Sequence, residues 1–256
     1  MLRETQVAVR AAQAAGRIAM RQFSRAHRVR LKALGELVTE TDLQAERAIL
    51  RILQGAFPRY AVLSEESGWH AGEDRTWIVD PLDGTTNFSI RNPFFGVSVA
   101  LLRGGDVVSG VVLAPATGEL FVAERGRGAF LNGKRIRVSS ESDLGKLLVT
   151  FCNGNDAASI RRIVAIYAAM KPAARDFSRM RAATLELAFV AAGRLAAHLS
   201  PGGKPWDNAA GALLVEEAGG KVTDFRGDRW TMKKKDLLAT NGVVHEQVRK
   251  RITRNT

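Results

Sequence analysis

Trp77-Ile78-Val79-Asp80-Pro81-Leu82-Asp83-Gly84-Thr85-Thr86-Asn87-Phe88 is the stretch on which the reading of this chain turns. The apolar run at its start reads as a buried strand. That strand delivers two carboxylates, at i and i+3, across a proline that supplies no N–H and stiffens the link between them. Gly84 lets backbone come close to a ligand, and Thr85-Thr86 can open a helix whose first N–H groups point at an anion. Upstream, Ser64-Glu65-Glu66-Ser67 ends another apolar run. Downstream, Pro205-Trp206-Asp207 opens an apolar helical pattern that Gly219-Gly220 terminates. Each segment alone has an ordinary reading: acidic residues at strand ends are solvated, and Asp83 or Asp207 would serve as a helix N-cap. Together they read differently. Clustered carboxylate oxygens are what a hard cation such as Mg²⁺ requires, and such an ion commonly also binds substrate phosphate. Carboxylates of this kind beside a phosphate cradle make a phosphoryl-transfer site.

The rest of the chain supplies a frame for that site. Helical patterns cover residues 3–25 and 40–55, and strands are expected at 60–63, 76–79, 96–102, 107–113 and 120–123. Short turns separate most of these, with the Asn132-Gly133 hairpin signal preceding an extended run at 135–138, so antiparallel pairing is expected. Beyond residue 156 the order alternates. Helices are expected at 157–170, 184–192, 207–218 and 243–251, and short strands at 147–151, 195–199 and 221–224. This is an α+β mixture with sheets covered by helices. No repeat, low-complexity tract or long linker divides it, and residues 1–256 read as one unit.

Bulk properties exclude several classes. The chain has 256 residues, 46% of them hydrophobic, enough for a sizeable core. No apolar run is long enough to span a membrane, and the Arg-rich first segment has helical periodicity with no uninterrupted apolar stretch of a secretory signal. The single Cys152 permits no intrachain disulfide, which suits a cytoplasmic protein, and it reads as a buried, inert thiol. Lys and Arg outnumber Asp and Glu, 38 to 26, a formal net charge of +12. The basic clusters at 25–32, 233–235 and 249–254 lack the aromatic interleaving of single-strand binders. They read first as solvated surface, second as steering of anionic small molecules, and third as a nucleic-acid site.

Four motifs in order carry a family resemblance. They are Leu37-Val38-Thr39-Glu40-Thr41-Asp42, Ser64-Glu65-Glu66-Ser67, the run from Asp80 to Phe88, and Trp206-Asp207-Asn208-Ala209-Ala210-Gly211. The sequence resembles the inositol monophosphatase family, within the lithium-sensitive, magnesium-dependent phosphatases, over roughly residues 7–248. That resemblance implies a layered αβαβα sandwich, shared with the fructose-1,6-bisphosphatase type, and a homodimer. It implies two to three Mg²⁺ ions: Glu65, Asp80 and the Leu82 carbonyl holding one, Asp80, Asp83 and Asp207 a second, and a weaker third touching Glu65. It further implies that the Gly84 and Thr85 amides receive the phosphate. Asp42 would hydrogen-bond the Thr85 hydroxyl and orient an attacking water, which makes Asp42, Thr85 and Glu65 the catalytic set. Glu66 supports the site, and Lys32 matches a lysine of the metal-site loop.

The wording Thr85-Thr86-Asn87-Phe88 resembles the inositol monophosphatase subgroup, which implies inositol-1-phosphate or another small phosphorylated metabolite as substrate. Two departures bear on that. Ser200 stands where members that grip inositol strongly tend to carry a glutamate, and Ser cannot pair with two hydroxyls as a carboxylate can. Arg181 opens Arg181-Ala182-Ala183, where the family pattern has glycine. An exposed arginine is one reading, and an anion clamp for a second phosphate is the other. Asp83, Gly84, Thr85, Arg181 and Ser200 are therefore the expected substrate-contacting residues. The main alternative is a bisphosphate such as fructose 1,6-bisphosphate or a 3′-phosphoadenosine nucleotide. An RNA- or transcription-associated binding protein is the alternative from another class.

Overall fold

Helix α1 (Arg3–Phe23) owes its place to small residues. Val7, Ala8, Ala11, Ala12, Ala15 and Ala19 line one buried face, so the helix axis lies close to what it covers. The computed structural model describes residues 1–24, 29–31, 37–154 and 156–253, with the backbone alone of Val29 and Leu31. Lys32 and most of the basic cluster at 25–32 lie outside the described residues. A small hairpin, β1 (Val29–Leu31) with β2 (Leu37–Thr39), leads into α2 (Glu40–Ala56). Thr39 caps α2, accepting from Thr41 N, and Asp42 closes the capping box by accepting from Thr39 N at 2.9 Å.

The larger sheet contains β3 (Tyr60–Ser64), β4 (Gly68–His70), β5 (Glu73–Asp83), β6 (Gly96–Arg103), β7 (Asp106–Ala114), β8 (Glu119–Glu124), β9 (Gly128–Leu131) and β10 (Lys134–Arg135). Its spatial order is β10-β9-β8-β7-β6-β5-β3-β4. The strands are apolar on both faces, and the period of two sorts them. Trp77, Val79, Val97, Val99 and Val111 pack with Ile49 and Leu53 of α2 and the alanines of α1. Ile78, Ala100 and Val112 face the other way, onto α5 (Ala183–Ala191) and α6 (Pro205–Glu217). A Cβ on Gly110 of β7 would meet the Ala210 carbonyl oxygen at 2.9 Å, so glycine sets how closely α6 approaches the sheet.

The second sheet has the order β12-β11-β13-β15-β14, formed by β11 (Leu148–Phe151), β12 (Asp176–Ser178), β13 (Ala197–Ser200), β14 (Lys221–Thr223) and β15 (Leu237–Thr240). Leu237, Ala239 and Val222 turn toward α5 and α6. Val149, Phe151, Leu199 and Leu238 turn toward α4 (Ala157–Met170) and α7 (His245–Thr253) through Ile163, Ile166, Val248 and Ile252. The layers therefore run helix pair, sheet, helix pair, sheet, helix pair, the αβαβα sandwich expected from the resemblance.

Some expectations need correction. Strands β3 and β5 are parallel, because β4 folds back on the far edge of β3 before the chain returns. In the second sheet β12, β11 and β13 are parallel and only β15 reverses the sense on both its sides. The extended run at 135–138 is cut to Lys134–Arg135, and Ile136 continues only as a single bond to the Ala129 carbonyl. Strands β1, β2, β4, β12 and β15 were not expected at all. Each has three or four residues, too few for a period of two to register.

His245 at the start of α7 is buried between Thr223 of β14, 3.0 Å from Nε2, and Thr240 of β15, 2.9 Å from Nδ1. Burial, aided by the charge of Lys221, lowers its pKa from 6.5 to about 4. The unfolded chain therefore binds the proton more readily. Stability should be full above pH 6.5 and fall as pH drops toward about 4, by up to about 3 kcal/mol from this group. Urea unfolding across that range checks this: His245→Gln should flatten the decline, and an unchanged slope would contradict it.

Candidate active site

Parallel pairing of β3 and β5 is what assembles the site. Both strands end at the same edge, and Glu65 N donates to the Val79 carbonyl at 3.1 Å. Glu65 thus leaves β3 beside Asp80 as Asp80 leaves the regular part of β5. Between Asp80 and Asp83 the ladder to β6 shifts register, at the proline that has no N–H to give it. Asp80 is buried, with Oδ1 accepting from Leu82 N at 3.1 Å. Asp83 is half-buried, with Oδ2 accepting from Thr184 N at 2.8 Å and Thr184 Oγ1 at 2.6 Å. Asp207 is the third residue of α6, in its first turn after Pro205, where its Oδ2 accepts from Lys204 N at 3.2 Å. It is not the N-cap residue, and neither is Asp83; Gly84 precedes the short helix α3 (Thr85–Ser89).

In each of these three aspartates a backbone N–H holds one carboxylate oxygen. The electrostatics of the cluster are unfavourable as it stands. Burial pushes Asp80 well above the ordinary carboxylate range, and the charges of Glu65, Asp83 and Asp207 push it further. The nearness of the Glu65 carboxyl to Asp80 acts in the same upward direction. Burial likewise raises Asp207, with Asp83 and Glu65 adding to it. Asp83 rises to about 6 through burial, opposed by the Thr184 hydrogen bonds. Two carboxylates about 4 Å apart repel by about 4 kcal/mol at an effective dielectric near 20, against a net ~1 kcal/mol for one neutral hydrogen bond. Backbone bonds therefore do not offset the repulsion. A divalent cation does, and an all-oxygen donor set fits a hard one.

Beside the cluster, Gly84 has φ +85°, and a Cβ there would lie 3.1 Å from the Phe94 carbonyl oxygen and 3.2 Å from the Arg181 carbonyl oxygen. Thr85 Oγ1 donates to Asp42 Oδ1 at 2.9 Å and lies 3.1 Å from the Leu82 carbonyl. Burial raises Asp42, and its hydrogen bonds from Thr39 and Thr85 act against that. Asp42 thus joins the start of α2 to the start of α3. Asn87 ties the same loop across the molecule, donating to Phe94 O at 2.7 Å and Met180 O at 2.8 Å.

The other two expected residues lie differently. Arg181 is exposed and holds φ +66°, the left-handed region, so it keeps a glycine's backbone beside Gly84 at a cost of about 1 kcal/mol. Ser200 is buried at the end of β13, its hydroxyl filling the space a Cβ on Gly203 would need. Two supporting residues escaped the sequence reading. Glu46 of α2 is buried and accepts from Ser67 N at 3.1 Å and from the hydroxyls of Ser64 and Ser67, fixing the Glu65 turn. Thr184 clamps Asp83. Glu46 looked like one more charge on a helix, and Thr184 only like a helix start.

The comparisons agree with this architecture. The inositol monophosphatase family profile matches residues 2–256. The chain is 40% identical over 240 residues to "Nus factor SuhB" of Salmonella typhimurium, covering 92% of this chain and 90% of that one. It is 39% identical over 259 residues to "Inositol-1-monophosphatase" of Mesorhizobium japonicum, covering 96% and 94%. Among solved structures, the extragenic suppressor protein suhB of Bartonella henselae superposes with a TM-score of 0.94 at 37% identity, covering 98% of each chain. The fold is the layered one of the magnesium-dependent phosphatases to which these relatives are similar. The chain belongs to the inositol monophosphatase family.

Gly84→Ala should test how tightly the cradle is built. The added Cβ meets two carbonyl oxygens in a backbone region alanine disfavours, so stability should fall by about 1–2 kcal/mol. Thermal unfolding reads the first effect and phosphate release the second, which should fall with it. A variant as stable and active as the parent would contradict the geometry.

Proposed function

We propose that this protein is a Mg²⁺-dependent phosphomonoester hydrolase acting on a small phosphorylated metabolite, with inositol-1-phosphate the favoured substrate. The observation that carries this is the convergence of Glu65, Asp80, Asp83 and Asp207 beside the Gly84–Thr85 turn, where burial raises the three aspartates and neighbouring carboxylates push Asp80 and Asp207 further. Glu65, Asp80 and the Leu82 carbonyl would hold one ion, and Asp80, Asp83 and Asp207 a second. A weaker third would touch Glu65. In each aspartate the oxygen not held by a backbone N–H is the one left for a cation. When bound, magnesium supplies positive charge that acidifies a water and offsets charge developing on the phosphoryl oxygens.

The chain's own groups do the positioning. Asp42 accepts a hydrogen bond from the Thr85 hydroxyl, so the Thr85 oxygen presents lone pairs and can accept from a water. Glu65, just past the end of β3, would contact the same water. The backbone N–H groups of Gly84 and Thr85 receive the phosphate, and Gly84's lack of a side chain lets them approach. The Mesorhizobium relative's name, Inositol-1-monophosphatase, supports the substrate class. The Salmonella relative's name, Nus factor SuhB, together with the +12 charge, supports an RNA- or transcription-associated role as a second reading. A cytoplasmic homodimer is proposed with the enzyme. Among the described residues, no helix is long and apolar enough to cross a membrane.

Asp83→Asn and Asp207→Asn should each lower turnover by more than about 100-fold, since even residues that merely support metal ligands cost 10- to 100-fold. Magnesium titration of each purified variant by phosphate release checks this. Near-parental activity would remove that residue from the ligand set.

Arg181, exposed beside Gly84, favours one competing substrate class, the bisphosphates. A phosphate-release panel on the parent and Arg181→Ala decides. Inositol-1-phosphate should turn over in both. Turnover of bisphosphates alone, lost in the variant, would overturn the inositol reading.

A further inference from the structure

The first turn of α5 holds Asp83 through Thr184, and the same helix carries a carboxylate into the fold's interior. Glu186 is fully buried, between Cys152, just beyond β11, and His198 on β13. Cys152 Sγ lies 3.3 Å from Glu186 Oε1, and His198 Nδ1 lies 3.2 Å from Glu186 Oε2. One donor atom from each residue falls within 4.8 Å of the other two. The remaining contacts are few: Ala182 N donates to Glu186 Oε1 at 3.2 Å, and Thr150 Oγ1 lies 3.1 Å from His198 Nδ1.

Two polar atoms here are left over. Glu186 Oε2 and His198 Nε2 are buried without a hydrogen-bond partner. Glu186 Oε2 has only the His198 ring beside it and His198 Nε2 has nothing, and buried polar atoms so poorly partnered are costly to keep. The spacing is that of ligands about a small ion. Donors at about 2.0–2.3 Å in a tetrahedron sit roughly 3.3–3.7 Å apart. The donor set of sulfur, nitrogen and oxygen is wrong for Mg²⁺ and right for a borderline ion of the zinc kind. Cys152 is only half-buried, which gives an ion a way in.

We propose that Cys152, Glu186 and His198 form a second metal site, for a Zn²⁺-like divalent cation, distinct from the carboxylate cluster. On binding, the Cys152 S–H bond breaks, a sulfur–metal bond forms and the proton leaves to solvent. Without the ion the thiol stays protonated, because burial and the charges of Glu186 and Asp83 push its pKa well up. The site goes beyond the proposed phosphatase activity and stands or falls separately from it.

Cobalt(II) is the direct probe, since Cys152 is the chain's single cysteine and any thiolate-to-cobalt absorption must come from it. Metal-stripped protein is first saturated with Mg²⁺ and then titrated with Co²⁺. A thiolate charge-transfer band should grow to one equivalent and be abolished by one equivalent of Zn²⁺. Cys152→Ser should lose the band and one equivalent of bound zinc, measured by equilibrium dialysis, while keeping magnesium-dependent phosphate release. His198→Gln should weaken zinc binding at least tenfold. A parent protein without the band, or Cys152→Ser binding as much zinc as the parent, would overturn the proposal.

Discussion

Repulsion among buried carboxylates is the constraint on which the rest of this structure is arranged. Asp80 sits in the buried stretch of β5, and Glu65, Asp83 and Asp207 all add negative charge to it. Burial and that added charge together push the Asp80 carboxyl well above the ordinary carboxylate range. A fold that tolerates such a group must hold it rigidly enough that the chain cannot relax by turning the side chains outward. Three anchors do this: Leu82 N for Asp80, Thr184 for Asp83 and Lys204 N for Asp207. Two of the three come from segments far from the strand in sequence.

The layered architecture explains why those anchors are available. Helices α5 and α6 lie between the two sheets, apolar almost all round, and present their first turns at the edge where β3 and β5 end. Burial on every side sets their position within a close-packed interior, where a shift of even a methylene is felt. Precision at the carboxylates is thus inherited from packing between sheets, and the geometry of the cluster is coupled to stability through Thr184 and Gly110. Arg181 shows the opposite balance. It retains the left-handed backbone of a glycine position with a long side chain left in solvent, a local strain placed next to Gly84.

Much of the fold was legible because its large elements are periodic. The alanine face of α1, the apolar runs of β5, β6 and β7, and the Pro205 start of α6 all register in a linear reading. The short strands β4, β12 and β15 did not, since three or four residues are chosen by neighbours already in place. The parallel pairing of β3 with β5 was misjudged for the same reason: β4 takes the outer edge, and nothing within sixty to eighty announces it. At the site, Asp80, Asp83, Gly84 and Asp207 were readable from chemistry and order. Glu46, Thr184 and the Cys152–Glu186–His198 group were not, because each looks ordinary until a distant segment meets it.

The sequence by itself determined the donor chemistry on offer: carboxylate oxygens at Asp80, Asp83 and Asp207, a glycine where backbone must come close, and the family to which these belong. Residue type dictates which ion and which anion can be bound, and residue type is fully written in the chain. Tertiary structure alone decided which oxygens are tied down, how far burial and mutual charge raise the carboxyl groups, and that Arg181 reaches solvent beside Gly84 while Ser200 is enclosed. Those properties depend on distance and on exclusion of water, and both are set by contacts between segments more than a hundred residues apart.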